Sequence, residues 1–241
     1  MVELRRRRAP HDDLLRVEGV KPSQYRGRQI TRQRGGASFG AFGSHRYTRA
    51  SVADLRPWQV VSREVVFTGG PVREVSIESV RLPDNRLVPD YYVVRFPDYV
   101  LIYAEIEDGR VAMLRQYKHG PRRVCLTFPG GAIETGESPE AAVRRELMEE
   151  MGFLAQKIEP LGAFVTNANQ GCNTAHLFRA TGCRRVAEPS SADLEDTEVL
   201  LLDRAVLLQP ERVEEIGLAT HVALLLLATR STLPLQHNGS A

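Results

Sequence analysis

Between Gly131 and Phe153 the chain reads GAIETGESPEAAVRRELMEEMGF, a loop that feeds a short helix. Ser138 offers a side-chain oxygen as N-cap, Pro139 suits the first turn, and Gly152 stands where a left-handed residue ends a helix. The predicted helix covers 139–151. At 3.6 residues per turn Glu146 and Glu150 project from nearly one side, with Glu149 within about 60° of Glu146. Three carboxylates at that spacing repel one another unless something neutralises them. A hard divalent cation such as Mg²⁺ prefers oxygen ligands and removes the repulsion. The plainer reading is a solvated acidic helix face.

The surroundings decide between the two. Gly131, Glu137 six residues later, Arg145-Glu146-Leu147, Glu149-Glu150, Gly152 and the apolar Phe153 resemble the Nudix box at every defined position. Ordinary residue frequencies make a chance match at a given site rarer than about one in a billion. The resemblance implies an enzyme that hydrolyses a nucleoside diphosphate linked to some other moiety through metal-bound carboxylates. It implies Glu146 and Glu150 as the principal metal ligands, with the carbonyl of Gly130 as a backbone ligand. Glu149 is then a further ligand or the group that orients or deprotonates water. Glu137 and Arg145 are expected to pair and aim the helix, unless they form an ordinary surface ion pair. The expected cofactor is Mg²⁺, with Mn²⁺ as a substitute.

At 241 residues, 42% hydrophobic and 26% charged, the chain has the length for one sizeable domain plus an extension. Cys125, Cys172 and Cys183 are an odd set without metal-type spacing, which points to a reducing compartment and a cytoplasmic enzyme. Cys125 and Cys172 read as small buried residues. No apolar leader follows Met1, and the apolar run Val222–Ala228 is too short to span a bilayer, so no membrane contact is expected.

The net charge of +2 hides a division. Residues 1–50 hold twelve Lys or Arg against four Asp or Glu, while the remainder holds twenty against twenty-six. The arm includes Arg5 to Arg8 and RGRQITRQRGGASFG, polar stretches that bury too little apolar surface to offset ordering entropy. Residues 1–50 are expected to be disordered. Such an arm can hold RNA or another polyanion through phosphate contacts, though a solvated tail is the favoured reading.

From Leu55 the pattern changes. Gln59–Thr68 and Val72–Leu82 read as a hairpin about Gly69-Gly70-Pro71, and Tyr91–Phe96, Val100–Ile106 and Val111–His119 as three further strands. Asp108-Gly109 suits a two-residue turn. Val124–Phe128 runs into Pro129-Gly130-Gly131; Ile158–Val165, Thr174–Ala180 and Glu198–Leu202 read as strands, and 211–216 and 218–230 as helices. The expected class is α+β: a Nudix α/β/α sandwich with a mixed sheet, preceded by a small antiparallel sheet. The expected division is an arm (1–50), an N-terminal sheet that dimerises (55–90), a hydrolase domain (91–230) and a tail (231–241).

The resemblance continues beyond the box. Trp58 with Ser62-Arg63, Val80 to Asp84, Tyr91 to Val94, Arg115 to Gly120, Phe128 to Gly131 and Asn169-Gln170-Gly171 with His176-Leu177-Phe178 follow the order of ADP-ribose pyrophosphatase-like members. That group implies a homodimer whose exchanged N-terminal sheets help to build the pocket. Trp58 is the candidate for stacking a nucleobase, or else a sheet-packing aromatic. Arg81, Arg115 and Lys118 are candidates for the diphosphate, Arg115 being better read as an ion-pair partner. Gly131 lines the substrate. His119 and His176 are expected to be structural.

Two departures from the group stand out. Thr127 occupies a place often held by Glu, and the loop TNANQGCN from Thr166 to Asn173 has no carboxylate, with Asn173 at the expected position. The base then falls to Glu149, or to Glu195 carried on the Pro/Ser-containing segment that precedes it. The expected reaction is metal-assisted cleavage of ADP-ribose or a related nucleoside diphosphate sugar. The alternative is a Nudix-fold sensor or RNA-associated module that binds without turnover and uses the basic arm.

Overall fold

The computed structural model describes residues 56–190 and 197–230. The basic arm, the C-terminal tail and Glu195 lie outside the described residues.

Strands β1 (Gln59–Gly69) and β2 (Val72–Arg81) form the expected hairpin, and β3 (Leu87–Arg95) adds antiparallel to β2. Strands β4 (Tyr99–Ile106) and β5 (Val111–Lys118) join through Asp108-Gly109, where the Gly109 N–H donates to the Ile106 carbonyl at 3.0 Å. Strand β6 (Arg123–Thr127) pairs with β5 and opens into the glycine loop before helix α1 (Pro139–Met151). There follow β7 (Phe153–Leu154), β8 (Lys157–Asn167), β9 (Gly171–Arg185), β10 (Thr197–Leu202), α2 (Arg204–Leu207), α3 (Pro210–Ile216) and α4 (Ala219–Arg230).

The sheet order is β1-β2-β3-β9-β4-β5-β10, with β6 on β5 and both β7 and β8 on β9. It is mixed because β9 runs parallel to β3 and β4 and antiparallel to β8. The two-residue period of β4 then makes three layers. Val100, Ile102 and Ala104 meet Ala142, Val143, Leu147 and Met151 of α1 on one face. Leu101 and Tyr103 meet Ile216 of α3 and Leu224, Leu225 and Ala228 of α4 on the other. Each large aliphatic side chain buried there contributes roughly 1.5–3 kcal/mol, so buried area supplies most of what holds both helical layers to the sheet.

Some details differ from the sequence reading. Strand β9 extends far past the expected Thr174–Ala180, because β3 and β8 pair with its start at Gly171 and β4 and β7 pair with its end from Cys183 to Arg185. Strand β7 and helix α2 were not anticipated, being too short to carry a period. Cys125 is buried as expected, whereas Cys172 is only half-buried at the left-handed start of β9, with φ 51°. Cys183 is buried, which pushes its thiol up to about 12. All three thiols are free. Among the described residues no helix is long and apolar enough to cross a membrane.

Candidate active site

Helix α1 forms where its capping residues place it. The Ser138 hydroxyl accepts from the Ala141 N–H at 3.2 Å, Pro139 occupies the first turn, and Gly152 closes the helix at φ 67°. The Gly152 carbonyl in turn accepts from the Val186 and Ala187 N–H groups, so the helix end is pinned to the exit of β9. Ala142, Val143, Leu147 and Met151 face the core, and the same rotation brings Glu146 against the glycine loop.

The loop takes its position from β4. The Val100 N–H donates to Gly131 and the Ile102 N–H to Pro129, both at 2.9 Å. At Gly130 a Cβ would lie 2.1 Å from the Val100 carbonyl oxygen, and at Gly131 it would lie 2.3 Å from Glu146 Oε1. The missing side chains are what allow strand, loop and carboxylate to meet. Glu146 is 8% exposed and sits in the space a larger residue would fill.

Arg145 organises the acidic side chains. Its Nε and one terminal nitrogen donate to the two oxygens of Glu137, each at 2.9 Å, and the same nitrogen donates to the Ala132 carbonyl. The other terminal nitrogen donates to Glu146 at 2.6 Å and to Glu149 at 3.1 Å. Glu150 accepts from the Gly130 N–H at 2.7 Å. Hydrogen bonds from Arg145 and the Glu134 N–H hold the Glu137 carboxyl below the usual carboxylate range, and Glu137 in turn raises the proton affinity of the guanidinium. The expected Glu137–Arg145 pair is therefore a planar bidentate clamp between loop and helix.

The donor set suits a hard divalent cation: three carboxylates from one helix face beside the Gly130 backbone. In the present side-chain arrangement Arg145 and the Gly130 N–H engage these carboxylates. Among the described residues no three acidic, His or Cys side chains gather at coordinating distance. The cradle at Gly131 and the cationic contact between Glu146 and Glu149 mark where positive charge is accommodated.

Gly130, Gly131, Arg145, Glu146, Glu149 and Glu150 are thus brought together. Trp58 stands on the N-terminal sheet, half-exposed, with its ring edge-on to Tyr91 at 5.7 Å. Arg81 lies half-buried at the end of β2, and Lys118 half-buried at the end of β5. Arg115 lies 3.7 Å from Glu198, an exposed pair as expected. The Asn173 side chain donates to the Pro97 carbonyl at 2.9 Å and accepts from Thr166 at 2.5 Å, so it ties β9 to the turn before β4.

His221 was not singled out from the sequence. It comes from α4, is 8% exposed, stacks on Phe128 and accepts the Phe128 N–H on Nδ1 at 3.0 Å. Burial, assisted by the charge of Lys118, lowers it from 6.5 to about 4. A neutral imidazole therefore holds the backbone two residues before Gly130. A lone His among helical aliphatics carries no spacing signal; only the placement of α4 beside the loop that follows β6 exposes its role.

Comparisons with known proteins agree with this geometry. A profile of the NUDIX domain matches residues 95–216. The chain is 29% identical to the ADP-ribose pyrophosphatase of Bacillus subtilis (strain 168) over 159 residues, 64% of this chain and 85% of that protein. It is 33% identical to the ADP-sugar pyrophosphatase of Mus musculus over 120 residues, 47% of this chain and 54% of that protein. A crystal structure described as an ADP compounds hydrolase superposes with a TM-score of 0.63 at 21% identity, covering 75% of this chain and 96% of the other. The glycine loop, the clamped acidic helix and the three-layer sandwich that carries them belong together, and this chain belongs to the Nudix family as one of its hydrolases.

Proposed function

We propose that the protein hydrolyses the diphosphate of ADP-ribose or a related nucleoside diphosphate sugar with Mg²⁺, for which Mn²⁺ can substitute. The observation that carries the reading is the Glu146 carboxylate seated against Gly131 and flanked by Glu149 through Arg145. The substrate class is supported by the likeness to the Bacillus subtilis and Mus musculus pyrophosphatases.

The three carboxylates divide by environment. The Glu146 side chain is 11% exposed, Glu150 is bound to the Gly130 N–H, and the Glu149 side chain is 45% exposed. Glu146 and Glu150, with the Gly130 carbonyl, are suited to hold the cation. Glu149, which meets solvent, is suited to accept the proton of water. A divalent ion held there supplies charge neutralisation for the diphosphate and acidifies water. The water oxygen bonds to one phosphorus, the bridging P–O bond breaks, and the proton passes to Glu149. With ADP-ribose the products are AMP and ribose 5-phosphate. Arg145 keeps the helix aimed, while Lys118, Arg81 and Trp58 are the side chains offered to phosphate and base.

Strand β1 supports a homodimer. All eleven of its residues are exposed, among them Val60, Val61, Val65, Val66 and Phe67, on the outermost strand of the sheet. An apolar edge strand of that length is a template for pairing unless another surface covers it, and a second copy is the occupant the reading assigns. No observation on the described residues favours the alternative of binding without turnover.

The test is product release from ADP-ribose, several nucleotide sugars, NADH and dinucleoside polyphosphates with Mg²⁺. Turnover of one compound is expected, with kcat in Glu150→Gln reduced at least about a hundredfold. Absence of turnover on the whole panel, with tight binding retained, would sink the hydrolase reading.

A further inference from the structure

A second concave site lies between the N-terminal sheet and the β8–β9 turn. Its volume is about 330 Å³, near the lower end for ligand pockets and therefore suited to a fragment smaller than a dinucleotide. Arg73, Arg95, Phe96 and Asp98 form one wall, and Gln170 to Thr174 the other.

The two arginines are among several described ones that no ion pair engages. Arg63, Arg86, Arg110, Arg144, Arg179, Arg185 and Arg212 each pair with a carboxylate. Arg73 and Arg95 have no ion pair among the described residues. For Arg95 the reason is visible in the register. Glu74 stands directly opposite it on β2, but Glu74 is taken by Arg63. Two planar guanidiniums therefore face one small cavity with their donors available, an arrangement that matches phosphate oxygens.

Asp98 and the polar residues of the opposite wall suit a polyol, beside the apolar Val93, Phe96 and Val165. One oxygen of Asp98 accepts the Thr174 N–H at 2.7 Å, which leaves its second oxygen as an acceptor for hydroxyl groups. The opposite wall is held in place without a ligand. Asn167 Oδ1 accepts the N–H groups of Asn169 and Gln170 at 2.9 and 2.8 Å, the Tyr91 hydroxyl donates to the Asn169 carbonyl, and Phe96 N–H donates to Cys172. Such pre-organisation lowers the ordering cost of binding. The cavity also adjoins the catalytic loop, since the Asp98 carbonyl accepts the Ile133 N–H at 2.8 Å, two residues from Gly131.

We infer that this cavity is a sugar-phosphate subsite, in which Arg73 and Arg95 hold the phosphate and Asp98 accepts from the sugar hydroxyls. The inference deepens the hydrolase reading and rests on it for the source of the ligand: the sugar-phosphate half of the substrate, retained as product. The same chemistry would take a free sugar phosphate, and the two sources are told apart kinetically.

The experiment is calorimetric titration of the full chain, without divalent metal, with ribose 5-phosphate, ribose and inorganic phosphate. Ribose 5-phosphate is expected to bind more tightly than either fragment. The Arg73→Gln/Arg95→Gln variant is expected to lose at least about tenfold in affinity, while Arg212→Gln, whose partner is Glu215 on α3, retains it. Unchanged thermal unfolding of the double variant will show that its fold persists. Equal affinity in wild type and double variant, or binding of phosphate as tight as that of ribose 5-phosphate, overturns the assignment. In the hydrolysis assay the double variant should raise KM for the nucleotide sugar with a smaller change in kcat; unchanged KM would leave a site for free sugar phosphate and overturn the link to substrate. Turnover without ribose 5-phosphate binding defeats this subsite alone, whereas arginine-dependent binding without any turnover defeats the hydrolase reading alone.

Discussion

At Gly131 one absent methyl group decides whether the acidic helix can close on its loop. A Cβ there would lie under 3 Å from three atoms of the Glu146 carboxyl group, which is itself clamped by Arg145 and cannot retreat freely. Gly131→Ala should therefore leave the core intact and lower kcat/KM by about tenfold or more, corresponding to roughly 1.4 kcal/mol or above in transition-state stabilisation. Steady-state kinetics beside a thermal melt separates the two effects. His221 carries a different prediction. Its folded-state value of about 4 lies below the ordinary 6.5, so the unfolded chain binds the proton more readily between those values. Stability must then fall as pH drops through 6.5 toward 4, by about 2 kcal/mol between pH 7 and 5. His221→Gln retains an acceptor for the Phe128 N–H without titrating, and urea unfolding at pH 7 and pH 5 should show that drop largely removed. Glu137, held below the usual carboxylate range, loses its contribution only at more acid pH, so this window isolates the imidazole.

Among the elements, α1 is the one whose local chemistry and tertiary role coincide. Its N-cap, proline and left-handed terminal glycine are all engaged, and its boundaries agree with the sequence reading at both ends. Ser138→Ala removes the acceptor for the Ala141 N–H and should cost about 1 kcal/mol in urea unfolding. A fully retained free energy would mean that burial of Val143, Leu147 and Met151 alone sets the helix start. Strand β9 is the opposite case. Little in its own residues calls for fifteen extended positions, and its length follows from having partners on both sides.

For the molecule as a whole, the exposed apolar β1 strand sets the expectation of a dimer. Val65→Glu with Phe67→Glu places charge on that strand without touching the buried layers. Sedimentation should give a dimer for wild type and a monomer for the double variant, whereas a wild-type monomer at micromolar concentration would refute the assembly.

The box from Gly131 to Phe153 was legible because its chemistry is local: caps, turn residues and carboxylates at helical spacing all act within one turn or one loop. Strand and helix positions in the sandwich followed from period-two and period-3.6 patterns for the same reason. Other features depend on residues far apart in the chain. The hold of His221 on Phe128 joins positions 93 residues apart, and that of Asn173 on Pro97 joins positions 76 apart. Arg95 lies open to a cavity only because Arg63 has already taken its cross-strand partner. Local sequence thus determined the acidic helix and the alternation that buries each face. The tertiary structure alone decided which distant side chains share a site, because competition among partners is settled only when strands take their register.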